Sequence, residues 1–301
     1  MTDKRSKKQL TSRRNVVFSA SFLGIVAAVS FGSSFFDLPP WDAIDFELAG
    51  LPMPPSSSHW LGTDQEGRDV LSRILFGGQI TLLAGIVTTL ISAAFGTIYG
   101  TISGFVGGTI DRVMMAFVDL LYALPYYFII ILLMVFFRID DIVSLFATLA
   151  LFQWLGMARV IRGQVLSLRE REFVAALRIF GASRFRIMAF HLIPNCMGYV
   201  AVYATLMVPR VMLQEAFLSY VGLGFQTTGT DGVVKPVTSW GVLLSEGARN
   251  FEDAWWLLFF PALIFSATLL AVNVLGDGLR DILADPVVSV KKTFREATHH
   301  A

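Results

Sequence analysis

Six stretches of this chain stay apolar for longer than a soluble helix requires: residues 15–36, 80–106, 113–137, 142–161, 196–222 and 254–276. A bilayer is crossed by about 20 residues at 1.5 Å rise each. The second stretch, ITLLAGIVTTLISAAFGTIYGTISGFV, carries no charge, and neither does the last, AWWLLFFPALIFSATLLAVNVLG. Hydrocarbon offers backbone polar groups no partner outside the segment, so these stretches must be helical. The pattern predicts an all-α, polytopic membrane protein with six transmembrane helices. The first span, 15–36, is longer than the h-region of a cleaved signal peptide.

The polar segments between the spans set an orientation. Lys4, Arg5, Lys7, Lys8, Arg13 and Arg14 crowd the N-terminal tail, 1–14. Arg162, Arg169, Arg171, Arg178, Arg184 and Arg186 crowd the loop 162–194, and Arg280, Lys291, Lys292 and Arg295 the C-terminal tail, 277–301. Cytoplasmic loops collect lysine and arginine, so both termini and 162–194 are expected in the cytoplasm. The segments 37–79 and 223–253 fall outside. In 37–79, Thr63 or Asp64 is placed to cap a short helix ahead of the second span. Residues 226–237, QTTGTDGVVKPV, read as an irregular loop with turn glycines.

Composition agrees with a chain whose exterior is not water. Of 301 residues, 54% are hydrophobic and only 16% charged, against roughly a quarter charged in soluble domains. No lysine follows a glycine, so there is no phosphate-binding loop, and the four histidines are scattered. Cys196 stands alone, without the neighbours of a disulfide or a metal site. We expect no catalytic residue, no resident metal or cofactor and no nucleic-acid partner.

Two features inside the spans call for explanation. Ser92, Gly96, Gly100, Gly104 and Gly108 form a smooth stripe along the second span, suited to the close approach of another helix. That stripe serves either static packing or a sliding surface. Ionisable groups in spans are costly, and Asp119 lies in the third, shortly before a kink expected at Pro125. In the fifth, Arg210 and Gln214 share a face, while Glu215 is rotated from them by about 140°. These residues either line a water-filled path for a polar solute or pair near the external end with headgroups or a neighbouring subunit.

The segment EFVAALRIFGASRFRIMAFHLIPN (172–195) is charged and amphipathic within an otherwise apolar chain. Phe173, Leu177 and Phe180 make one apolar stripe on a short helix beginning near Glu172. Gly181 is placed to end it, Ser183 to cap a second short helix that includes Arg184, and Pro194 to separate that helix from the fifth span. Such a knob either lies on anionic lipid or docks in the groove of a soluble partner.

AALRIFGASRFRIMAFHLIPN resembles the EAA loop of binding-protein-dependent ABC importer permeases, written EAA-x3-G-x9-I-x-LP. Gly181 falls on the family glycine and HLIPN on the closing segment. Ala176 matches the first alanine, but Ala175 stands where the glutamate is usual and Leu177 where the second alanine is; Glu172 lies one turn earlier. HWLGTDQEGRDVLSRILFGG (59–78), LSYVGLGFQ (218–226), SWGVLLSEGA (239–248) and LGDGLRDILADP (275–286) are similar to the peptide and nickel branch of that family. WLGMARVIRGQVLSLREREF (154–173) is most similar to the second permease subunit of oligopeptide importers. The loop 226–237 is longer than the family pattern.

The resemblance implies a type I ABC importer permease fold with its core at 80–276, in the cytoplasmic membrane of a bacterium. It implies a heterodimer with a second, related permease, one or two cytoplasmic ATPase subunits that use ATP and magnesium, and an extracytoplasmic binding protein that delivers a peptide. The 172–195 loop would couple the pore to the ATPase. Importers of nickel or glutathione share the branch. A self-sufficient secondary transporter is the reading from another class; it needs coupling acids near the midplane, and Asp119 is the candidate. A membrane scaffold leaves the permease motifs unexplained.

Overall fold

The structure, a computed structural model, describes residues 2–137, 142–224, 226–228 and 234–297. Among these, ten α-helices run in order: α1 (Thr2–Phe31), α2 (Val70–Val106), α3 (Gly108–Ala123), α4 (Tyr126–Phe137), α5 (Ile142–Leu168), α6 (Glu172–Ile179), α7 (Arg184–Ile187), α8 (Ile193–Tyr220), α9 (Trp240–Arg249) and α10 (Trp256–Ala297). Five of these helices are long and apolar enough to cross a membrane, six if the bent pair α3–α4 counts as one span.

Helix α2 is the spine. Its 37 residues reach about 55 Å, beyond the roughly 30 Å hydrocarbon core. It starts ten residues before the apolar run does. The cap is Asp69, whose carboxylate accepts from the Ser72 amide at 2.8 Å, rather than Thr63 or Asp64, and no separate short helix lies within 37–69. Asp64 instead closes a turn by accepting from the Glu66 and Arg68 amides.

The glycine stripe of α2 lies against α5, its most extensive packing partner. A Cβ on Gly104 would sit 2.9 Å from the Arg162 carbonyl oxygen, and one on Gly96 2.6 Å from that of Trp154. At Gly100 it would run into the Ala158 carbonyl oxygen, with the Arg162 nitrogen at 3.0 Å. The Ser92 hydroxyl reaches the Ala150 carbonyl at 3.5 Å. The stripe is therefore an intrachain seam; Gly108, whose Cβ would meet nothing, is not part of it.

Two prolines act differently from the sequence expectation. At Pro125 the third span does not kink but breaks, with α3 and α4 bent by 83°. Leu124 before it is extended, at φ −78° and ψ 139°, the conformation that a following proline ring enforces. Pro194, by contrast, separates nothing, because α7 continues through one π-helical turn, Met188–Leu192, into α8. The wider turn gives the ring room beside the carbonyl four residues earlier, where an α-helix would clash.

The apolar residues form three clusters. One joins α2, α4, α5 and α8 around Leu149, Leu155 and Val211. A second joins α1, α2, α9 and α10 around the fully buried Trp240, whose indole donates to the Ile74 carbonyl at 2.9 Å. The third, holding Val165, Val174, Ile187, Leu192 and Cys196, seats α6 on α5 and α8. Cys196 is a small buried hydrophobe. The segment read as an irregular loop contains two antiparallel strands, β1 (Gln226–Thr228) and β2 (Val234–Pro236), with Thr227 opposite Lys235. Its turn glycines Gly229 and Gly232 lie outside the described residues, as does 298–301.

Candidate functional site

Polar side chains gather at both ends of α2 and at mid-span. At the α6 end, Gly181 has φ +76° and open space at its Cβ position. The Ala182 amide donates to the Leu177 carbonyl and the Gly181 amide to the Arg178 carbonyl, the paired bonds that satisfy orphan carbonyls at a helix end. The Ser183 hydroxyl accepts from the Arg186 amide at 3.3 Å and starts α7. The side chain that α6 buries is Val174, backed by Leu177. Phe173 is partly open, and Ile179 and Phe180 are 84% and 86% exposed, with Phe185 of α7 beside them in sequence at 71%. The expected stripe of Phe173, Leu177 and Phe180 is thus divided between an inner and an outer face. Glu172 and Ala175 are exposed, and Ala176 is half-buried.

Several arginines of this loop are already engaged. Arg162 binds Asp111 with two bonds of 2.6 Å, and the Ser103 hydroxyl donates to the same carboxylate. Arg169 donates to the Gly104 carbonyl at 3.0 Å, and Arg178 lies 5.4 Å from the Phe105 ring centroid. These contacts hold the base of α6 to the end of α2. Arg171, Arg184 and Arg186 are left exposed.

At mid-span, Asp119 of α3 and Arg159 of α5 pair at 2.6 Å, with side chains 66% and 44% exposed. The Arg159 guanidinium also lies 3.9 Å over the Tyr122 ring. Arg210 of α8 is exposed and sits beside the Tyr203 hydroxyl. The Tyr122 and Tyr203 hydroxyls crowd Gly156, leaving no room for a Cβ there. One turn beyond Arg210, Gln214 accepts from Gln153 of α5, and Gln153 also lies 3.5 Å from the Tyr126 hydroxyl. Together these make a polar strip across α3, α5 and α8. Charges facing hydrocarbon are costly, so such a strip belongs against water or protein.

Glu215 is not part of it. It is fully buried and accepts from Thr81 at 3.1 Å and Ser219 at 2.7 Å, with Ser239 also in reach. It pins α8 to α2 and α9, so neither a path nor a headgroup is its setting. Sequence reasoning missed Arg159 and Gln153, although both lie in the apolar run 142–161. The rule that singled out Asp119 applies equally to Arg159.

At the opposite end of α2, buried Arg73 lies between Asp64 (2.5 Å) and Glu246 of α9 (2.6 Å), with the Thr238 hydroxyl at 3.3 Å. Arg68 adds bonds to Asp64 and Glu66 at 2.8 and 3.2 Å. This clasp fastens the segment before α2 to α9. Removing one partner of such a buried pair generally costs about 3–5 kcal/mol, because a charge is left unmatched. Among the described residues there is no group of three or more histidine, cysteine or acidic side chains able to hold a metal.

Comparison with known proteins matches residues 96–287 to the family model described as the binding-protein-dependent transport system inner membrane component. The chain is 43% identical over 250 residues to the dipeptide transport system permease protein DppC of Bacillus subtilis, covering 83% of this chain and 75% of that one. It is 40% identical over 281 residues to the oligopeptide transport system permease protein OppC of Escherichia coli K12, covering 93% and 90%. With OppC of Mycobacterium bovis the identity is 35% over 301 residues, covering 98% and 100%. With the family model matched over residues 96–287, and relatives aligned over three quarters or more of their length, the chain belongs to the family of binding-protein-dependent transport system inner membrane components.

Proposed function

We infer that this chain is the pore-forming permease subunit of an ATP-driven importer that moves oligopeptides across the cytoplasmic membrane. The carrying observation is the likeness, over most of both chains, to permeases named for dipeptide and oligopeptide transport. In this reading the strip of Asp119, Arg159, Arg210, Gln153 and Gln214 lines one side of the path, and a second, homologous permease supplies the other. A peptide carries an ammonium and a carboxylate, so a wall offering both an acid and arginines suits it. An extracytoplasmic binding protein delivers the peptide at the α9 end. One or two ATPase subunits, which use the ATP and magnesium, receive the α6 knob; its exposed Ile179, Phe180 and Phe185 form an apolar patch that a partner would cover. No bond-making chemistry is assigned to this chain.

The substrate is tested by purifying the complex with its binding protein and identifying the bound ligand. A peptide is expected; nickel or glutathione would overturn the substrate while leaving the permease role standing. The path is tested with Arg159→Gln. Hydrogen bonds to charged groups are worth about 1.5–3 kcal/mol, so peptide uptake should fall roughly tenfold or more. ATPase association should be unchanged. Unaltered uptake would remove Arg159 from the path.

Orientation is tested with Ser57→Cys and Ser167→Cys, both at exposed positions. Because Cys196 is buried, an impermeant thiol reagent reports on the introduced cysteines. Ser57→Cys should label from outside and Ser167→Cys only from the cytoplasm. Labelling of both from one side would overturn this topology.

A further inference from the structure

Two adjoining cavities flank the packing of α1 on α2 and α10, and neither belongs to the polar strip, the α6 knob or the charge clasp. The first, about 450 Å³, falls within the range of roughly 300–1,000 Å³ usual for ligand pockets. It is walled by apolar side chains of all three helices, among them Phe22, Val26, Ile74 and Phe260, and closed by Leu61 and Trp240. Ile25 and Leu263, also in its lining, are 62% and 57% exposed, which places its mouth on the outer surface of the spans. The second cavity, about 560 Å³, shares Val29, Leu71 and Leu75 with the first. Its remaining lining turns polar: Asp37, Ser57, Ser58, Asp69 and the exposed Trp60. Tryptophan favours the headgroup level of a bilayer.

The chemistry of the pair suits a lipid. A peptide would leave backbone groups unpaired in the first cavity, because Ser30 and Trp240 are its only polar linings and the indole N–H is already given to Ile74. A hydrocarbon chain fits and requires no partner. No lysine, arginine or histidine lines the second cavity; of its two carboxylates, Asp69 is taken up by the Ser72 amide and by His59 Nδ1, which leaves the exposed Asp37. An anionic headgroup would be repelled there. A primary ammonium would be attracted to Asp37 and could donate hydrogen bonds to it, which a quaternary ammonium cannot. Ser57 and Ser58 add hydroxyls to the same lining, that of Ser58 lying 3.0 Å from the Ser56 hydroxyl.

We propose that these joined cavities hold one phosphatidylethanolamine from the leaflet at the α9 end, with an acyl chain between α1, α2 and α10 and the headgroup beside Asp37. The lipid completes the packing of α1 on the rest of the chain.

The test is native mass spectrometry of the assembled permease complex after exposure to equal amounts of phosphatidylethanolamine, phosphatidylcholine and phosphatidylglycerol. One phosphatidylethanolamine per copy of this chain should survive detergent exchange. Ala267→Trp, which fills the first cavity, should abolish retention. Asp37→Asn, an exposed change that leaves the fold untouched, should keep a lipid. It should reduce the preference for ethanolamine over choline by about fivefold, the effect of one partly exposed charge pair. Retention of phosphatidylglycerol in preference, loss of every lipid on exchange, or an unchanged preference in Asp37→Asn would each overturn the assignment. Peptide uptake is not the readout, so the result stands apart from the transport reading.

Discussion

Gly181→Asp should leave the permease folded in the membrane and abolish peptide uptake. The two parts of that expectation rest on separate observations. The Cβ position of Gly181 is open, so the chain itself presents no clash. The cost within the chain is conformational: φ is +76°, and a residue with a Cβ there is strained by roughly 1–2 kcal/mol. That is small beside the burial of Val174, Ile187 and Leu192 beneath the knob. The strain falls instead on the turn that sets α6 against α7, where Ala182 and Gly181 close on Leu177 and Arg178. A tilt of that turn moves Ile179, Phe180 and Phe185 together, and a new carboxylate enters their apolar patch. ATPase pull-down should therefore weaken along with uptake. Replacing Arg184 and Arg186 with Ala should be milder, because both are exposed and solvated charges contribute little. An interfacial helix on anionic lipid would reverse the order, losing more from the two arginines. Normal uptake by Gly181→Asp with failure of the double arginine variant would make the segment a membrane anchor.

Gly100→Leu should prevent the subunit from folding, an effect earlier in assembly than any loss of a partner. Its Cβ would meet the backbone of α5, at the Ala158 carbonyl and the Arg162 nitrogen, and backbone in a packed helix cannot swing aside as a side chain can. Overpacking typically costs about 1–3 kcal/mol, and here the separation of α2 from α5 also pulls Arg162 from Asp111. The expected outcome is an aggregated or degraded chain, with little monomer in detergent. Gly108→Ala, outside the seam, should be tolerated in that respect. A monodisperse Gly100→Leu monomer that merely fails to pair with a second permease would place the seam between subunits.

The apolar spacing alone specified helices that cross a membrane, because hydrocarbon imposes one requirement, length, and one solution for the backbone. It also located the glycine seam, since a four-residue repeat reads directly as a helix face. The partner of that seam was a tertiary fact: α5 lies 58 residues from Ser92 at their contact, and no local pattern records which helix approaches. The two prolines show the same limit. Both were legible as breaks in an α-helix, but only neighbouring structure decided that Pro125 would turn the chain by 83° and Pro194 would be absorbed in a wider turn. Charges were the least legible. Glu215 and Arg210 are five residues apart in one helix, yet one is buried among hydroxyls and the other is open. Arg73 and Glu246 lie 173 positions apart, and only the fold brings them to 2.6 Å. What a charge faces depends on every helix around it, so its role is settled by packing, whereas the need to span a bilayer is settled by composition and length.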